Sequence, residues 1–429
     1  MIYRRAQVKI LQSRLAEPVR LMQMLAGPRQ IGKTTVVRQL LDARNRASFL
    51  HEVADDITSE TGDWSAVSRH ILAGGAPRDA GWLVQVWQQA RESAHRWKTD
   101  SGNADFIAYV LVIDEIQKIT RWSDVVKGLW DADRAVNLNM HVVLLVSAPL
   151  LIQQGQTESL AGRYEVIPMT HWGLDEMQDA FGLSLEQFIY FGGYSCAAPY
   201  IGDESRWRTY VVNALIRPSI TKDILEMQRV EKPALLSRLF ELGCAYSGQI
   251  LSYSKMMGQL QDAGNTTTLA HYLDLLGRSG LITGLHKYAG DIARQRASSP
   301  KLNVQNTALM SATTGYTFAQ AQADRSYWGR LVESAVGAHL LNTANHDCKV
   351  TYWRESPYEV DFVVSSAARL TSIEVKSGKS SGHASGLLRF NSSFNVTRSI
   401  LVGDATGCDV GLAEMLSHPA SDWLVSGEV

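Results

Sequence analysis

The chain is poor in cysteine: Cys196, Cys244, Cys348 and Cys408 stand far apart, and none forms a C-x-x-C pair. That spacing argues against a disulfide framework and a zinc site, and it fits a reducing cytoplasm. Net charge is equally scarce, at −1 over 429 residues, so any contact with nucleic acid has to come from local basic patches. No run reaches 18 uninterrupted apolar residues, and Met1-Ile2-Tyr3-Arg4-Arg5 leads into mixed polar sequence. The expectation is a chain with neither a membrane span nor a signal peptide, located in the cytoplasm. What is present is globular composition, 45% hydrophobic and 20% charged, in a chain long enough for two or three domains.

One stretch organises the rest. Gly27-Pro28-Arg29-Gln30-Ile31-Gly32-Lys33-Thr34 spells G-x-x-x-x-G-K-T, and Thr35 follows it. An apolar run from Leu21 to Ala26 precedes it, and residues with helical apolar spacing come after, which is the strand–loop–helix context the motif requires. The glycines let backbone N–H groups turn towards phosphate oxygens at a helix N-terminus. Lys33 is placed to reach the β- and γ-phosphates, and the Thr34 hydroxyl to hold Mg²⁺.

Residues 1–20 read as one amphipathic helix with Ile10, Leu11 and Leu15 on one side. Residues 50–105 are polar and irregular apart from a helical stretch from Trp82 to Trp97, and read as an insertion. Tyr109-Val110-Leu111-Val112-Ile113 then has the unbroken apolar pattern of a central parallel strand, and it ends in Asp114-Glu115. Ligands of open α/β sheets bind beyond the strands' carboxyl ends, so these acids belong beside the phosphate loop. Asp114 is the Mg²⁺ partner and Glu115 the residue that polarises the attacking water. A third strand, Val142 to Val146, ends at Ser147, which is either a γ-phosphate sensor or a strand cap. Arg163 is a candidate for charge stabilisation, within the subunit or supplied to a neighbour as an arginine finger in a homo-oligomer. Its alternative is a surface salt bridge.

Three segments jointly resemble a prokaryotic family of AAA-type ATPases whose C-terminal half is a domain of unknown function. They are Gly27 to Thr35, Val112-Ile113-Asp114-Glu115-Ile116-Gln117-Lys118, and Ser159-Leu160-Ala161-Gly162-Arg163-Tyr164-Glu165. The likeness continues through Phe191-Gly192-Gly193-Tyr194 and Gly329-Arg330-Leu331-Val332-Glu333, covering nearly the whole chain. Ser147-Ala148-Pro149 departs from the glycine-serine-serine run more usual in the family. The resemblance implies ATP, not GTP, as the nucleotide.

Residues 170–235 read as helices over Leu185–Phe191, Arg206–Ile216 and Ser219–Gln228, a helical lid on the nucleotide domain. From Ala234 to Tyr288, three helices, a threonine cap and a short strand after Gly280 resemble a winged helix, with Thr266–Leu276 as its recognition helix. Residues 201–301 hold 13 Lys/Arg against 9 Asp/Glu, and Lys287, Arg294, Arg296 and Lys301 cluster after the wing. That distribution suits phosphate contacts better than base reading, because Leu269 to Leu276 carries no Arg, Asn or Gln. A winged helix used for protein contacts stands as the alternative.

In the last region, Gly329 to Leu341 reads as a helix carrying Glu333, and Tyr358–Val364 and Leu370–Lys376 as a hairpin. Asp361, then Glu374 and Lys376, with Glu333 upstream, resemble the PD-(D/E)xK nuclease core, including that of Holliday-junction resolvases; Val360 stands at the motif's proline. Glu374 and Lys376 are two apart on a strand and so share a face. The carboxylates would hold Mg²⁺ while Lys376 orients a water or stabilises the phosphorane. An inactive nuclease-like fold kept for binding is the alternative.

The expected fold class is therefore α/β. A P-loop AAA-type domain (1–170) is followed by a helical lid (171–233), a winged helix (234–300) and a restriction-endonuclease-like domain (301–429). The expected function is ATP hydrolysis coupled to binding or remodelling of DNA, with the resolvase likeness pointing to branched DNA. The alternatives are a nucleotide-switched protein-interaction module in defence or signalling, and an ATP-gated metal-dependent nuclease.

Overall fold

The computed structural model describes residues 3–54, 78–101, 108–147, 158–225, 230–262, 264–289, 298–367, 369–378 and 385–424. Two compact units divide the chain, Met1–Met169 and Thr170–Val429.

The N-terminal unit is built on five parallel strands: β1 (Met22–Ala26), β2 (Phe49–Val53), β3 (Tyr109–Asp114), β4 (Met140–Val146) and β5 (Tyr164–Pro168). Their order is β2-β3-β4-β1-β5, with every pair parallel. The three inner strands are buried along their whole length, which is why they read as mainly apolar runs, with Gln23, His141 and the terminal Asp114 as buried polar exceptions. Alternate side chains go to opposite faces. Val110, Val112, Val143 and Leu145 pack against α1 (Ala6–Ala16) and α2 (Lys33–Leu41). Leu111, Ile113, Val142 and Leu144 pack against α3 (Ala80–Ser101) and α4 (Trp122–Ala135).

Two expectations change here. The N-terminal helix is shorter than residues 1–20, and Arg5, just before it, is buried with its guanidinium donating to the Ile31 carbonyl at 3.0 Å. The stretch read as an insertion from residue 50 overlaps β2, an edge strand whose His51 and Glu52 hide the apolar signal. Residues 55–77 and 102–105 of that stretch lie outside the described residues.

The C-terminal unit opens with α5 (Leu174–Phe181), α6 (Leu185–Phe191) and α7 (Glu204–Tyr210), the last continuing helically through Val211–Ile216. Next come α8 (Pro233–Ala245), α9 (Tyr253–Gln259) and α10 (Thr266–Arg278). An antiparallel ribbon of β6 (Ile282–Leu285) and β7 (Lys301–Val304) follows. The cap of α10 is Asn265, whose side chain accepts from the Thr268 amide at 2.8 Å, in place of the expected threonine. The expected boundary at 300/301 falls inside this ribbon.

Helices α11 (Thr307–Thr314), α12 (Phe318–Ala323) and α13 (Arg325–Thr343) lead to a sheet of order β11-β10-β9-β8. It comprises β8 (Lys349–Glu355), β9 (Tyr358–Ser365), β10 (Leu370–Val375) and β11 (Arg398–Val402). Strands β8 to β10 run antiparallel, and α14 (Ser385–Ser393) crosses over to β11, parallel to β10. Strands β9 and β10 are the expected hairpin.

One buried polar junction joins the two helices beneath the N-terminal sheet. Asp133 accepts from Trp87 Nε1 at 2.7 Å and from Arg91 Nε at 2.6 Å while being only 4% exposed. Asp133→Ala leaves a buried indole N–H and the Arg91 Nε–H without their acceptor, while Arg91 Nη2 keeps the Leu129 carbonyl, and should lower stability by about 2–4 kcal/mol in urea unfolding. A loss within about 0.5 kcal/mol would show that the junction is dispensable.

Candidate functional site

Parallel pairing brings the carboxyl ends of β1, β4 and β3 to one edge, so the phosphate loop, Ser147 and Asp114-Glu115 arrive side by side. Gly32 caps α2 with φ 95°, a backbone form that glycine adopts without strain. A Cβ at Gly27 would lie 1.9 Å from the Met169 carbonyl oxygen, so nothing larger fits where the loop leaves the sheet. Lys33 is buried and its ammonium donates to the carbonyls of Gly27 at 2.8 Å and Pro28 at 2.7 Å. It therefore spans the inside of the loop.

Thr34 Oγ1 donates to Asp114 Oδ2 at 2.6 Å, and the Glu115 amide donates to Asp114 Oδ1 at 2.9 Å. Burial, only partly offset by the Thr34 hydrogen bond, pushes the Asp114 carboxyl up to about 6. A hydroxyl and a carboxylate meeting at the mouth of a phosphate loop are the oxygen donors that a nucleotide-bound Mg²⁺ takes, so these residues fit that ion. Glu115 sits at φ 54°, outside the usual regions for a non-glycine residue. Its two carboxylate oxygens accept from Ser147 Oγ and from Gln117 Nε2, the latter at 2.5 Å. Gln117 escaped the sequence reading, although it lies two residues beyond Glu115.

Arg163 is not brought to this edge. Its carbonyl accepts from the Met22 amide at 2.9 Å, and Tyr164 pairs with Met22, so it stands at the opposite end of β1. Five residues of strand separate it from the phosphate loop, roughly 15 Å. Its guanidinium grips Asp131 through Nε at 2.7 Å and Nη2 at 2.9 Å. The within-subunit role is thereby removed, and the salt-bridge reading describes what is seen.

The C-terminal acidic set is gathered, but around a lysine. Lys301 on β7 has no solvent exposure, and its ammonium lies 2.6 Å from Glu333 Oε1, 3.1 Å from Asp361 Oδ1 and 3.5 Å from Glu359 Oε1. Burial alone would lower its pKa, but the charges of Asp361, Glu333 and Glu359 hold it above the ordinary lysine value. Burial and the Asp361 charge push Glu333 above the usual carboxylate range. Asp361 Oδ2 accepts from the Val375 amide at 2.9 Å, and Glu374 Oε1 pairs with Lys376 Nζ at 2.7 Å.

Mg²⁺ requires oxygens at about 2.0–2.1 Å in near-octahedral array. Among the described residues, no group of three or more His, Cys, Asp or Glu is arranged to hold a metal ion. Glu333, Asp361 and Glu374 do not fit a divalent cation while Lys301 stands among them. The reading of Lys301 as a phosphate contact is also corrected, since its ammonium is sealed from solvent. Arg294 and Arg296 lie outside the described residues.

Comparison with known proteins agrees with the N-terminal geometry. Residues 20–178 match the family model described as an AAA domain, and residues 182–320 and 328–407 match two domains of unknown function, DUF8612 and DUF4143. The match to the AAA domain thus falls on the strands, phosphate loop and acidic residues of the N-terminal unit. "Uncharacterized protein Rv2008c" of Mycobacterium tuberculosis and "Uncharacterized protein Mb2031c" of Mycobacterium bovis are each 24% identical over 356 residues, 82% of this chain and 69% of theirs. Among solved structures, the Aeropyrum pernix ORC1 protein in complex with DNA aligns at TM-score 0.30 and 13% identity, covering 74% of this chain and 94% of that one. Cdc6p from Pyrobaculum aerophilum aligns at 0.28 and 14%, covering 65% and 86%. No described helix is long and apolar enough to cross a membrane.

The raised Asp114 pKa makes a signed prediction. The folded value lies above the unfolded one, so ionised Asp114 lowers stability as pH rises through about 6. Without nucleotide, Asp114→Asn should therefore stabilise the chain above pH 6 by about 2–3 kcal/mol, with no gain below about pH 4. Thermal melts across that range check it; equal stability of both proteins at pH 8 would refute it.

Proposed function

We propose that this protein binds and hydrolyses ATP with Mg²⁺ and couples hydrolysis to binding or remodelling of DNA. The observation that carries the reading is the arrangement at the sheet edge, with Thr34 on Asp114 and Glu115 held by Ser147 and Gln117. Bound Mg²⁺ would be held by Thr34 and Asp114, and would neutralise phosphate charge. Lys33 exchanges its carbonyl partners for phosphate oxygens. Glu115 orients and polarises the attacking water, and Ser147 fixes that carboxylate's position. Arg163 acts only between subunits in this reading, leaving Asp131 to reach a neighbour's nucleotide.

The DNA half of the proposal draws on α8 to α10 and the β6–β7 ribbon, which we read as a winged helix. Residues 171–233 are read as a lid and the sheet of β8 to β11 as a nuclease-like domain. Branched DNA follows from that last likeness alone.

The test is steady-state ATPase rate with Mg²⁺, alone and with duplex, single-stranded or four-way-junction DNA. Glu115→Gln should lower the rate at least about 100-fold while ATP still binds. Stimulation by one DNA form is the expected result. A Glu115-dependent rate indifferent to every DNA would replace DNA coupling with a nucleotide-switched protein-interaction module. Arg163→Ala should lower the rate at least about tenfold with assembly and ATP affinity intact. An unchanged rate would remove the finger.

A further inference from the structure

The sequence pattern of the C-terminal domain asks for a divalent metal, and the geometry supplies something else. We propose that the Lys301 ammonium is the resident cation of this carboxylate cluster, standing where a nuclease-like fold holds its metal, so that the domain neither binds that metal nor cuts phosphodiesters. The inference is independent of ATP hydrolysis.

Three observations support it. The ammonium's three protons have three acceptors within reach: Glu333 Oε1 at 2.6 Å, Asp361 Oδ1 at 3.1 Å and the Asp361 carbonyl at 3.3 Å. Two further ligand atoms are engaged elsewhere, Asp361 Oδ2 by the Val375 amide and Glu374 Oε1 by Lys376, which leaves Glu374 Oε2 as a buried oxygen with no hydrogen-bond partner. The lysine backbone is also pinned. Lys301 pairs with Leu285 across the ribbon and bridges Ile250, and the neighbouring Leu302 amide donates to the Gln249 carbonyl at 2.9 Å.

A metal placed among these oxygens would lie within about 3 Å of a fixed positive charge, with repulsion little screened in a buried site. Withdrawing Lys301 is equally unfavourable, because a buried ammonium without its carboxylates is far costlier than one that keeps them. The lysine comes from the region matching DUF8612 and the acids from the region matching DUF4143. The cation is therefore supplied by a neighbouring segment, not by the motif that carries the acids.

The experiment titrates Mn²⁺ into the nucleotide-free full chain, with free ion read by electron paramagnetic resonance. Wild type, Lys301→Met and Lys301→Met/Asp361→Asn are compared; any ion at Thr34 and Asp114 is common to all three. The expected result is one additional Mn²⁺ in Lys301→Met, at least about tenfold tighter than any seen in wild type and lost in the double variant. A folded Lys301→Met that gains no ion overturns the proposal. So does wild type that binds Mn²⁺, or cuts DNA with Mg²⁺, in a manner abolished by Asp361→Asn. Should Lys301→Met fail to fold, the wild-type arm decides: an ion lost on Asp361→Asn overturns the proposal, and no such ion supports it.

Discussion

A carboxylate taken out of water needs a positive partner, and the two acidic sites of this chain meet that requirement in opposite ways. Asp114 is buried with only a hydroxyl and a backbone amide as hydrogen-bond donors, while the nearby Lys33 ammonium is turned to loop carbonyls. Its ionised form is penalised accordingly, and a cation arriving with phosphate relieves that penalty. Glu333 and Asp361 already have their cation in Lys301. The N-terminal site is responsive because its charges are incomplete. The C-terminal one already holds a resident cation among its carboxylates.

The same contrast explains how far each site was legible. The phosphate loop, β3 and β4 declare themselves because strands buried on both faces must be continuous apolar runs, and Asp114, Glu115 and Ser147 follow directly from where those runs stop. Sheet topology does the rest. Strand β2 was hidden because an edge strand tolerates His51 and Glu52. Gln117 was passed over because its role appears only when the turn after Glu115 folds it back.

Lys301 was misread for a different reason. Its partners lie 32 to 60 residues downstream on α13 and β9, so no local window contains them. A basic residue near a suspected wing then looks like a phosphate contact. The signal that bears on it is alternation: Lys301 and Asn303 interleave with Leu302 and Val304, and all four are buried. A strand covered on both faces whose polar positions are Lys and Asn demands buried partners, and an acidic motif in the same chain is the obvious place to look.

Arg163 shows where motif adjacency misleads. Its segment resembles a family motif and lies just before β5, yet strand direction puts the start of β5 at the far end of the sheet from the phosphates. No side chain of arginine's length spans a whole strand, so any catalytic use requires a second copy of the chain. Within one copy, Asp131 already satisfies the guanidinium in two-point geometry, and because the pair is open to solvent it can part without stranding a buried charge. The exposed arginine is thus available for exchange, whereas the buried lysine is not. Burial, more than residue type, decides which of the two cations can take part in a reaction.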